Sequence, residues 1–516
     1  MADSDHDGAS FYSTVGYTSG ETVTVSTNRH ICGTSGDSST FRVALPAAPL
    51  ATAPTAAPSP APALDQPTTT YASMPGVTVP KLKVTVPSSL GGGYIFESPQ
   101  GGTKLGGPMI VNGKGQVVWF TPLPPEVVAA DFRVQTYRGK PVLTYWEGTI
   151  IAGHGVDGED IIMNSAYQVI KVITPGNGYT ADLHEFLLSS SGTTAWLTAF
   201  NTVGWNLKSE GGPNNGAVLD GIVQEVDVAT GNVLFEWHSL DHVSLQLSSI
   251  TYADTSAYDY FHVNAIVPLS TGTVLVSSRN TSTVYAVAQP TGEVLWRLGG
   301  KQSNFKMGSG ARFALQHNPQ MQGATTISIF DDEDNPPSNA PARGIVLKLN
   351  FKSRSANLER AYQHRGLVVP AQGNVQILAN GDVFIGWGSG HYTSEYSRRG
   401  KLLFDGYFGT SVSSYRAYLY KWVGTPAAPP SVATAKDANG GLTVYASWNG
   451  STQTRRWELM GGPNATDLTP LATVKRGGFQ TDIHLASTPA AIKVVAEAAD
   501  GHVLSSSPVI SPSSAG

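Results

Sequence analysis

Three histidines and one arginine are the residues of this sequence best suited to chemistry. The histidines lie near the starts of three β-like repeats, His184 in "DLHEF", His262 in "FHVNAI" and His317 in "LQHNPQM". Arg279 ends the hairpin that His262 begins. If the repeats are arranged around an axis, equivalent positions of successive repeats converge on that axis. The group predicts either a cationic site for an anion or three metal ligands beside an arginine.

Two observations favour an anion site over a zinc site. Arg279 would repel a cation, and no carboxylate partner of the three histidines is evident in the sequence. Arginine suits a tetrahedral oxyanion because its guanidinium donates two parallel hydrogen bonds. A neutral imidazole, with an ordinary pKa of about 6.5, can act as a nucleophile near neutral pH. We therefore expect no metal and no cofactor. The other histidines, including His154, His238, His364 and His391, are interpreted as ordinary polar residues of a β-protein.

The composition indicates a large all-β protein. The chain has 516 residues with 56 glycines, only 14% charged residues and a net charge of −5. It has no long basic run, which argues against a nucleic-acid partner. The single cysteine, Cys32, excludes an intrachain disulfide, and no apolar stretch has transmembrane length. The first residues, "MADSDHDGAS", do not resemble a signal peptide, so either the protein is intracellular or a leader is missing from this start.

The region from 90 to 424 repeats itself. "EVDVATGNVLFEW" at 225–237 and "AVAQPTGEVLWRL" at 286–298 share a strand, a Thr-Gly turn and a strand with an aromatic residue. Looser copies give six units about 50–60 residues apart, each with two hairpins. Four strands in each of six units predict a six-bladed β-propeller.

The flanking regions predict smaller β-modules. Residues 1–45 form a short β-rich segment, and residues 46–89 a Pro/Ala/Thr-rich linker with a lead-in strand. Residues 425–516 alternate apolar and polar residues between Gly- and Asp-containing breaks, which is typical of a fibronectin- or immunoglobulin-like β-sandwich.

The hairpin that begins at His262 has a predictable register. If Ser270 and Thr271 form a two-residue turn, His262 lies opposite Arg279, with both side chains on one face. The same counting does not superpose His184 and His317 on His262. Their convergence depends on the axis of the repeats and on a possible bulge.

Other conspicuous residues have structural as well as functional interpretations. Trp387 could stack on an aromatic substrate or pack in the core, whereas Trp119, Trp237 and Trp296 are interpreted as packing residues. The acidic run Asp331–Asp334 predicts a solvated loop, with calcium binding as the lesser alternative. Arg416, in "SYRAYLYKW", is expected to be structural, in the strand that closes the ring.

Several stretches resemble the arylsulfotransferase family, in the branch found widely in fungi and bacteria. They are "FHVNAIVPLSTGTVLVSSR", "TGEVLWRLGGKQSNF", "FALQHNPQM", "ISIFDDEDN" and "SYRAYLYKWVGTP". The resemblance implies a six-bladed propeller that moves a sulfuryl group from a phenolic sulfate to a phenol through a sulfated histidine, without an adenylyl-sulfate donor or a cofactor. His317 resembles the nucleophile, His262 and Arg279 the pair that holds the sulfuryl oxygens, and His184 a further sulfuryl-binding histidine. Asn264 is assigned to substrate binding.

The resemblance has limits that leave alternatives open. The single cysteine cannot reproduce the disulfide of periplasmic members, and the N-terminal region does not match their N-terminal domain. We expect a secreted or cell-wall protein that acts on small aryl sulfates and phenols. The alternatives are a non-catalytic propeller that binds carbohydrate or protein, and an aryl sulfate hydrolase.

Overall fold

The computed structural model describes residues 22–26, 38–42, 68–101, 106–253, 257–332 and 340–512. Strands make up 54% of the chain and helices 4%, so the predicted all-β class is confirmed. The helical segments are single turns, and none in these ranges could cross a membrane. They are Leu90–Gly92, Lys208–Glu210, Ser239–His242, Leu245–Leu247 and Gly388–Gly390.

Two short hairpins and one strand precede the main body. They are β1 (Thr22–Ser26), β2 (Ser38–Arg42), β3 (Thr68–Tyr71), β4 (Met74–Pro80) and β5 (Lys83–Val86). The strand-like pieces expected before residue 45 thus form an antiparallel pair, β1 with β2. The rest of that segment, and the predicted linker up to residue 67, lie outside the described residues.

Six sheets follow, which we number in chain order; their strands pair antiparallel except for one parallel pair in sheet 5. Sheet 1 begins with β6 (Tyr94–Gln100), β7 (Met109–Val111) and β8 (Val117–Phe120). Sheet 2 has β9 (Val128–Tyr137), β10 (Lys140–Ile151), β11 (His154–Met163) and β12 (Val169–Ile173). Sheet 3 has β13 (Phe186–Leu188), β14 (Thr194–Trp205), β15 (Gly216–Asp227) and β16 (Val233–His238).

The next three sheets repeat this arrangement. Sheet 4 has β17 (Val263–Pro268), β18 (Thr273–Ser278), β19 (Thr283–Ala288) and β20 (Val294–Gly299). Sheet 5 has β21 (Lys306–Met307), β22 (His317–Met321), β23 (Thr326–Asp331), β24 (Arg343–Asn350) and β25 (Ser355–Gln363). Sheet 6 has β26 (Asn374–Ile377), β27 (Val383–Gly386), β28 (Tyr392–Tyr396) and β29 (Leu402–Tyr407), with β5 paired to its outer edge. A final strand, β30 (Ser413–Tyr420), returns to pair with β6 in sheet 1.

Each sheet packs against the next through its first strands. The strands β9 and β13, β14 and β17, β17 and β22, and β22 and β26 are in contact. β9 also contacts β6 and β30, and β26 contacts β30, so sheet 1 touches both sheet 2 and sheet 6. The strands at these junctions are buried on both faces, which is why β17 reads as a continuous buried run, VNAIV.

The junction between sheets 6 and 1 is fixed by two side chains that bond to the backbone of β30. Asn374 donates to the carbonyl of Ala417 at 2.8 Å and accepts from its N–H at 2.9 Å. Gln376 makes the same two bonds to Leu419, at 3.0 and 2.8 Å. The strands approach so closely that a Cβ on Gly386 would lie 2.6 Å from the Ala417 nitrogen.

Seven further strands form two antiparallel sheets at the C-terminal end. They are β31 (Ser431–Lys436), β32 (Leu442–Ser447), β33 (Arg456–Asn464), β34 (Asp467–Lys475), β35 (Gln480–Leu485), β36 (Ala491–Glu497) and β37 (Val503–Ser506). One sheet has the order β31-β32-β35 and the other β34-β33-β36-β37, and both contribute to one core around Trp457. Asn449 anchors this module to sheet 1, since its amide exchanges hydrogen bonds with both backbone groups of Phe120 at 3.1 and 2.9 Å.

Candidate active site

The predicted site residues lie at the same end of the sheets. His184 comes two residues before β13, His262 immediately before β17, and His317 is the first residue of β22. Arg279 immediately follows β18. The Nε2 atoms of His184 and His262 are 3.1 Å apart. The convergence expected from equivalent positions in successive repeats is therefore seen directly for this pair.

The His262 hairpin reaches the predicted pairing by a different route. The turn has three residues, Ser270 to Gly272, because Gly272 takes a left-handed φ of 72°. This shifts the pairing by one residue, and a bulge between Val263 and Ala265 shifts it back. The N–H of Arg279 consequently donates to the carbonyl of His262 at 3.0 Å. The two-residue turn was wrong, but the two residues do lie opposite each other.

A carboxylate lies behind each of the three histidines, contrary to the expectation from the sequence. In each case the Nδ1 atom donates to an aspartate Oδ2, which fixes the ring and turns Nε2 towards the site. Two of these partners precede their histidine by two or three residues, a spacing that sequence reasoning could have used. The pairs are His184 with Asp182 at 2.5 Å, His262 with Asp259 at 2.5 Å, and His317 with Asp332 at 2.6 Å.

His317 is held as a neutral imidazole. It is 1% exposed, and its Nε2 accepts the backbone N–H of Gln372 at 3.3 Å. Burial holds its pKa well below the ordinary value, and the positive charge of Arg279 and the neighbouring histidines lowers this pKa further. With its proton on Nδ1, the only lone pair of the ring is at Nε2, where it accepts this long hydrogen bond from Gln372.

The acidic run does not form the predicted solvated loop where it is described. Asp331 and Asp332 are 1% and 0% exposed. Asp331 accepts from Arg343 at 2.8 Å and from the N–H of Ala314 at 3.0 Å. Asp331 ends β23 and Asp332 follows it, so both carboxylates are buried at that end of sheet 5. The last two residues of the run lie outside the described residues.

Arg279 is half-buried, and its guanidinium is held by two acceptors. Nη1 donates to Asn280 Oδ1 at 2.9 Å, and Nη2 donates to the carbonyl of Pro370, between sheets 5 and 6, at 2.9 Å. A guanidinium has five N–H donors. The two bonds fix its orientation and leave donors for an anion.

His154, at the start of β11, joins the site although its sequence context gave no reason to single it out. Its Nε2 lies 3.1 Å from Asp259 Oδ2, and its ring centroid is 4.8 Å from that of His262. Burial lowers its pKa, but the hydrogen bond and charge of Asp259 outweigh burial and raise the pKa above the ordinary value. The expectation of an ordinary polar histidine is therefore wrong for His154.

The same three residues form the one group in the described ranges that could surround a metal ion. Atoms of His154, Asp259 and His262 lie within 4.8 Å of one another. Asp259 Oδ2, however, already accepts from both imidazoles. Hydrogen bonds account for this arrangement, and we assign no metal ligand to it.

A buried ionic network lies beside the site and matches the structural role expected for Arg416. This arginine is 0% exposed and donates to Asp131, to Glu185 and to the carbonyl of Asn264 at 3.1, 3.0 and 2.9 Å. Arg133 forms ion pairs with the same two carboxylates. Two positive and two negative charges therefore compensate one another without solvent.

Asn264 and Trp387, the two residues assigned to substrate binding, are both engaged in contacts within the protein. The Asn264 amide is buried and donates to the carbonyl of Gln316 at 2.7 Å, which ties the bulge to the residue before His317. Trp387 is 0% exposed, and its indole N–H donates to Ser394 at 3.0 Å. Trp387 is therefore a packing residue, because neither face of its buried ring can receive a substrate.

Phe200 is the aromatic residue that the sequence reasoning missed. Its half-buried ring lies 4.3 Å from the centroid of His154 and 6.2 Å from those of His184 and His262. It is contributed by β14, whose middle residues face the histidine end of sheet 3. An apolar ring beside three imidazoles gives the site a surface suited to an aryl group.

Residues 133–409, just over half of the chain, match the family model described as Arylsulfotransferase (ASST). The chain belongs to the arylsulfotransferase family. The match covers sheets 2 to 6 almost completely and contains every histidine discussed above, with Arg279. It stops before β30, so Tyr415 and Arg416 lie outside the matched range.

Comparison with other proteins adds little to this assignment. No curated protein matches the sequence significantly. A protein of unknown function from Bacteroides caccae aligns over 63% of this chain and 98% of its own, with 13% identity and a TM-score of 0.39. The quinohemoprotein alcohol dehydrogenase from Comamonas testosteroni aligns over 68% and 60%, with 11% identity and a TM-score of 0.29. The hydrazine synthase of Kuenenia stuttgartiensis aligns over 62% and 64%, with 11% identity and a TM-score of 0.24.

Proposed function

We propose that this arylsulfotransferase moves a sulfuryl group from a phenolic sulfate ester to an acceptor phenol through a sulfohistidine at His317. The observation that carries the proposal is the state of His317. Its Nδ1 donates to Asp332 at 2.6 Å, which leaves the lone pair on the buried Nε2. That lone pair is engaged only by the long 3.3 Å hydrogen bond from the Gln372 N–H, which would break as Nε2 attacks. Such a nitrogen can attack the sulfur and displace the phenolate directly, without water acting as the nucleophile.

We further propose that the six sheets are the blades of one closed propeller. Successive sheets contact through their first strands, and sheet 6 contacts sheet 1 through β26 and β30. Pairing of β30 with β6 would then complete the first blade with the last strand of the chain. Closure explains how residues from different blades reach one centre.

The remaining groups supply what a sulfuryl transition state requires. Such a transition state is loose, like that of phosphoryl transfer, and places negative charge on the peripheral oxygens. The free N–H donors of the fixed Arg279 guanidinium would bind the peripheral oxygens, with the His184–His262 pair as their neighbour. Fixed donors of this kind stabilise developing charge without reorganisation. Phe200 would contact the aryl ring of the donor or acceptor.

The covalent step can be tested without knowing the natural substrates. The purified chain is incubated with 4-nitrophenyl sulfate and no acceptor, and the peptide around His317 is analysed by mass spectrometry. We expect one sulfuryl group per chain at His317, released when phenol is added. His317→Ala should lose both the label and turnover, while His502→Ala, on the exposed edge of the C-terminal module, should retain both.

The same assay separates the alternatives. Release of 4-nitrophenolate that requires phenol supports transfer. Equal release with and without phenol identifies a hydrolase, and no release identifies a binding protein. Label on His262 would exchange the roles of the two histidines. The secreted or wall-associated location stays a prediction, to be checked by locating the mature chain in the medium, the wall or the cell.

A further inference from the structure

The contact between His184 and His262 has a consequence for the number of protons in the site. Their Nε2 atoms are 3.1 Å apart, within hydrogen-bond distance. The other nitrogen of each ring is already engaged, by Asp182 and Asp259 respectively, at 2.5 Å in both pairs. The two imidazoles therefore meet through the only nitrogen that each has left.

Both aspartates act as ionised acceptors. Asp182 also accepts the backbone N–H of Gly155 at 2.8 Å, and Asp259 also accepts from His154 at 3.1 Å. Burial raises the pKa of each carboxyl, but the adjacent histidines outweigh burial and hold it below the ordinary value. An ionised carboxylate can only accept, so each Nδ1 must carry a proton.

Two neutral imidazoles in these tautomers would turn two lone pairs towards each other. Such a contact is repulsive at 3.1 Å, whereas one additional proton makes it an N–H···N hydrogen bond. We infer that His184 and His262 hold one additional proton between their Nε2 atoms at neutral pH, and that they deliver it to the departing phenolate. The second half of this inference rests on the proposed sulfuryl transfer.

The surroundings favour one additional proton and oppose a second. Burial and the nearby histidines hold the pKa of His262 at about 4 in spite of Asp259. The negative charges of Asp182 and Asp259, one on each imidazole of the pair, favour the shared proton. The charged and titratable groups facing the pair are His154, Asp182, Asp259, Arg279, His317, Tyr415 and Arg416.

The shared proton is supplied in the first half of the proposed reaction and recovered in the second half. As the bond between sulfur and the donor oxygen breaks and the bond from sulfur to His317 Nε2 forms, the shared proton passes to the phenolate and yields a phenol. The pair is then left with two facing lone pairs and becomes a strong base. It regains a proton from the acceptor phenol as that oxygen attacks sulfur and His317 departs. No water, metal or redox partner takes part.

The proton itself can be observed independently of turnover. The full-length chain is labelled with ¹⁵N-histidine, and imidazole ¹H–¹⁵N spectra are recorded between about pH 5 and 9. We expect one hydrogen-bonded proton that correlates with Nε2 of both residues at neutral pH. His262→Asn keeps an amide donor for Asp259 but removes Nε2, so the correlation should disappear. His364→Asn, which alters a distant histidine–aspartate pair, should leave it intact. Two unprotonated Nε2 atoms at neutral pH would overturn the inference.

The delivery of the proton is tested by the leaving group of the donor. Loss of a general acid costs about 10²- to 10⁴-fold when the leaving group is basic. His184→Asn and His262→Asn should therefore slow transfer from phenyl sulfate at least about tenfold more than transfer from 4-nitrophenyl sulfate. Equal slowing of the two donors would show that the pair only binds the sulfuryl group. A shared proton in a chain without transferase activity would contradict the proposed function, whereas transfer without a shared proton would contradict only the present inference.

Discussion

The neighbours of each histidine, and not its aspartate partner alone, set the direction in which its pKa shifts. His317, His262 and His154 all face an aspartate, yet the pKa of the first two is lowered and that of the third is raised. Burial lowers all three pKa values, so the difference comes from the neighbours. Arg279 and the other histidines dominate around His317, whereas carboxylates dominate around His154. Residues of one type, in one cluster, can thus serve as nucleophile, proton carrier and counter-ion.

The partner of His317 should control its tautomer. An asparagine in place of Asp332 can donate to Nδ1, which would move the imidazole proton to Nε2 and remove the attacking lone pair. We expect Asp332→Asn to lower kcat by about 10²-fold or more, a size comparable to other losses of a positioned catalytic group. The measurement is steady-state transfer by folded protein. Asp405→Asn, which removes the partner of the distant His364, should change kcat little, and equal losses in both variants would contradict the assignment.

The low pKa of His317 predicts how activity depends on pH. Its imidazole must be neutral to attack, and a lowered pKa keeps it neutral as the pH falls through the ordinary value of about 6.5. The acid limb of kcat should therefore lie below pH 6.5. The free energy of unfolding should fall in the same range, because below about pH 6.5 the unfolded chain protonates this imidazole and the folded chain does not. An acid limb centred at the ordinary value would contradict this prediction.

At the scale of elements, strand patterns were far easier to predict than the irregularities that aim the side chains. The alternation and turn residues indicated hairpins such as β7–β8, β15–β16 and β19–β20, but not the hairpin of β11 and β12 in sheet 2. The position of His262 opposite Arg279 depended on a three-residue turn and a bulge, neither of which changes the hydrophobic pattern. Asp332, the partner of His317, lies fifteen residues away, immediately after the neighbouring strand β23, so only the folded sheet brings the two residues close. His154 was missed because its strand position does not match the other histidines.

The three-residue turn should depend on its glycine. Gly272 has a φ of 72°, which costs a residue with a side chain about 1 kcal/mol, although a Cβ would meet no atom there. We expect Gly272→Ala to lower the free energy of unfolding by that amount, measured by chemical denaturation. Gly204→Ala on β14 is the matched control, since Gly204 also has open space but no positive φ. Equal stability of the two variants would show that the turn relaxes to the two-residue form.

At the scale of the whole molecule, the junction between sheets 6 and 1 differs from the other junctions between sheets. Five of the six sheets consist mainly of strands that are consecutive in the chain, whereas sheet 1 joins strands from both ends. The junction of sheets 6 and 1 is therefore held by bonds across a long stretch of sequence. This feature was predicted only in outline, as a closing strand, because the side chains of Asn374 and Gln376 carry no sequence signature of that role.

Removing one of these bridges should weaken the entire domain. Asn374→Ala would leave the buried N–H and carbonyl of Ala417 without their partners. We expect a loss of about 2 kcal/mol or more in the free energy of unfolding, because each buried group left unsatisfied costs about 1–3 kcal/mol. Gln246→Ala, at an exposed position, provides the baseline. A change no larger than this baseline would show that the junction does not depend on the side chain.

The late position of β30 also affects how the protein acquires activity during synthesis. Tyr415 of this strand contacts the backbone of His184 and Asn264, and Arg416 compensates Glu185. On the ribosome, the histidines emerge long before these two residues, so the site stays incomplete until the chain has passed residue 420. A nascent or truncated chain thus carries every nucleophilic and proton-carrying group but not the strand that supports them. Under the proposed function, the order of translation would delay reactivity until the fold is finished.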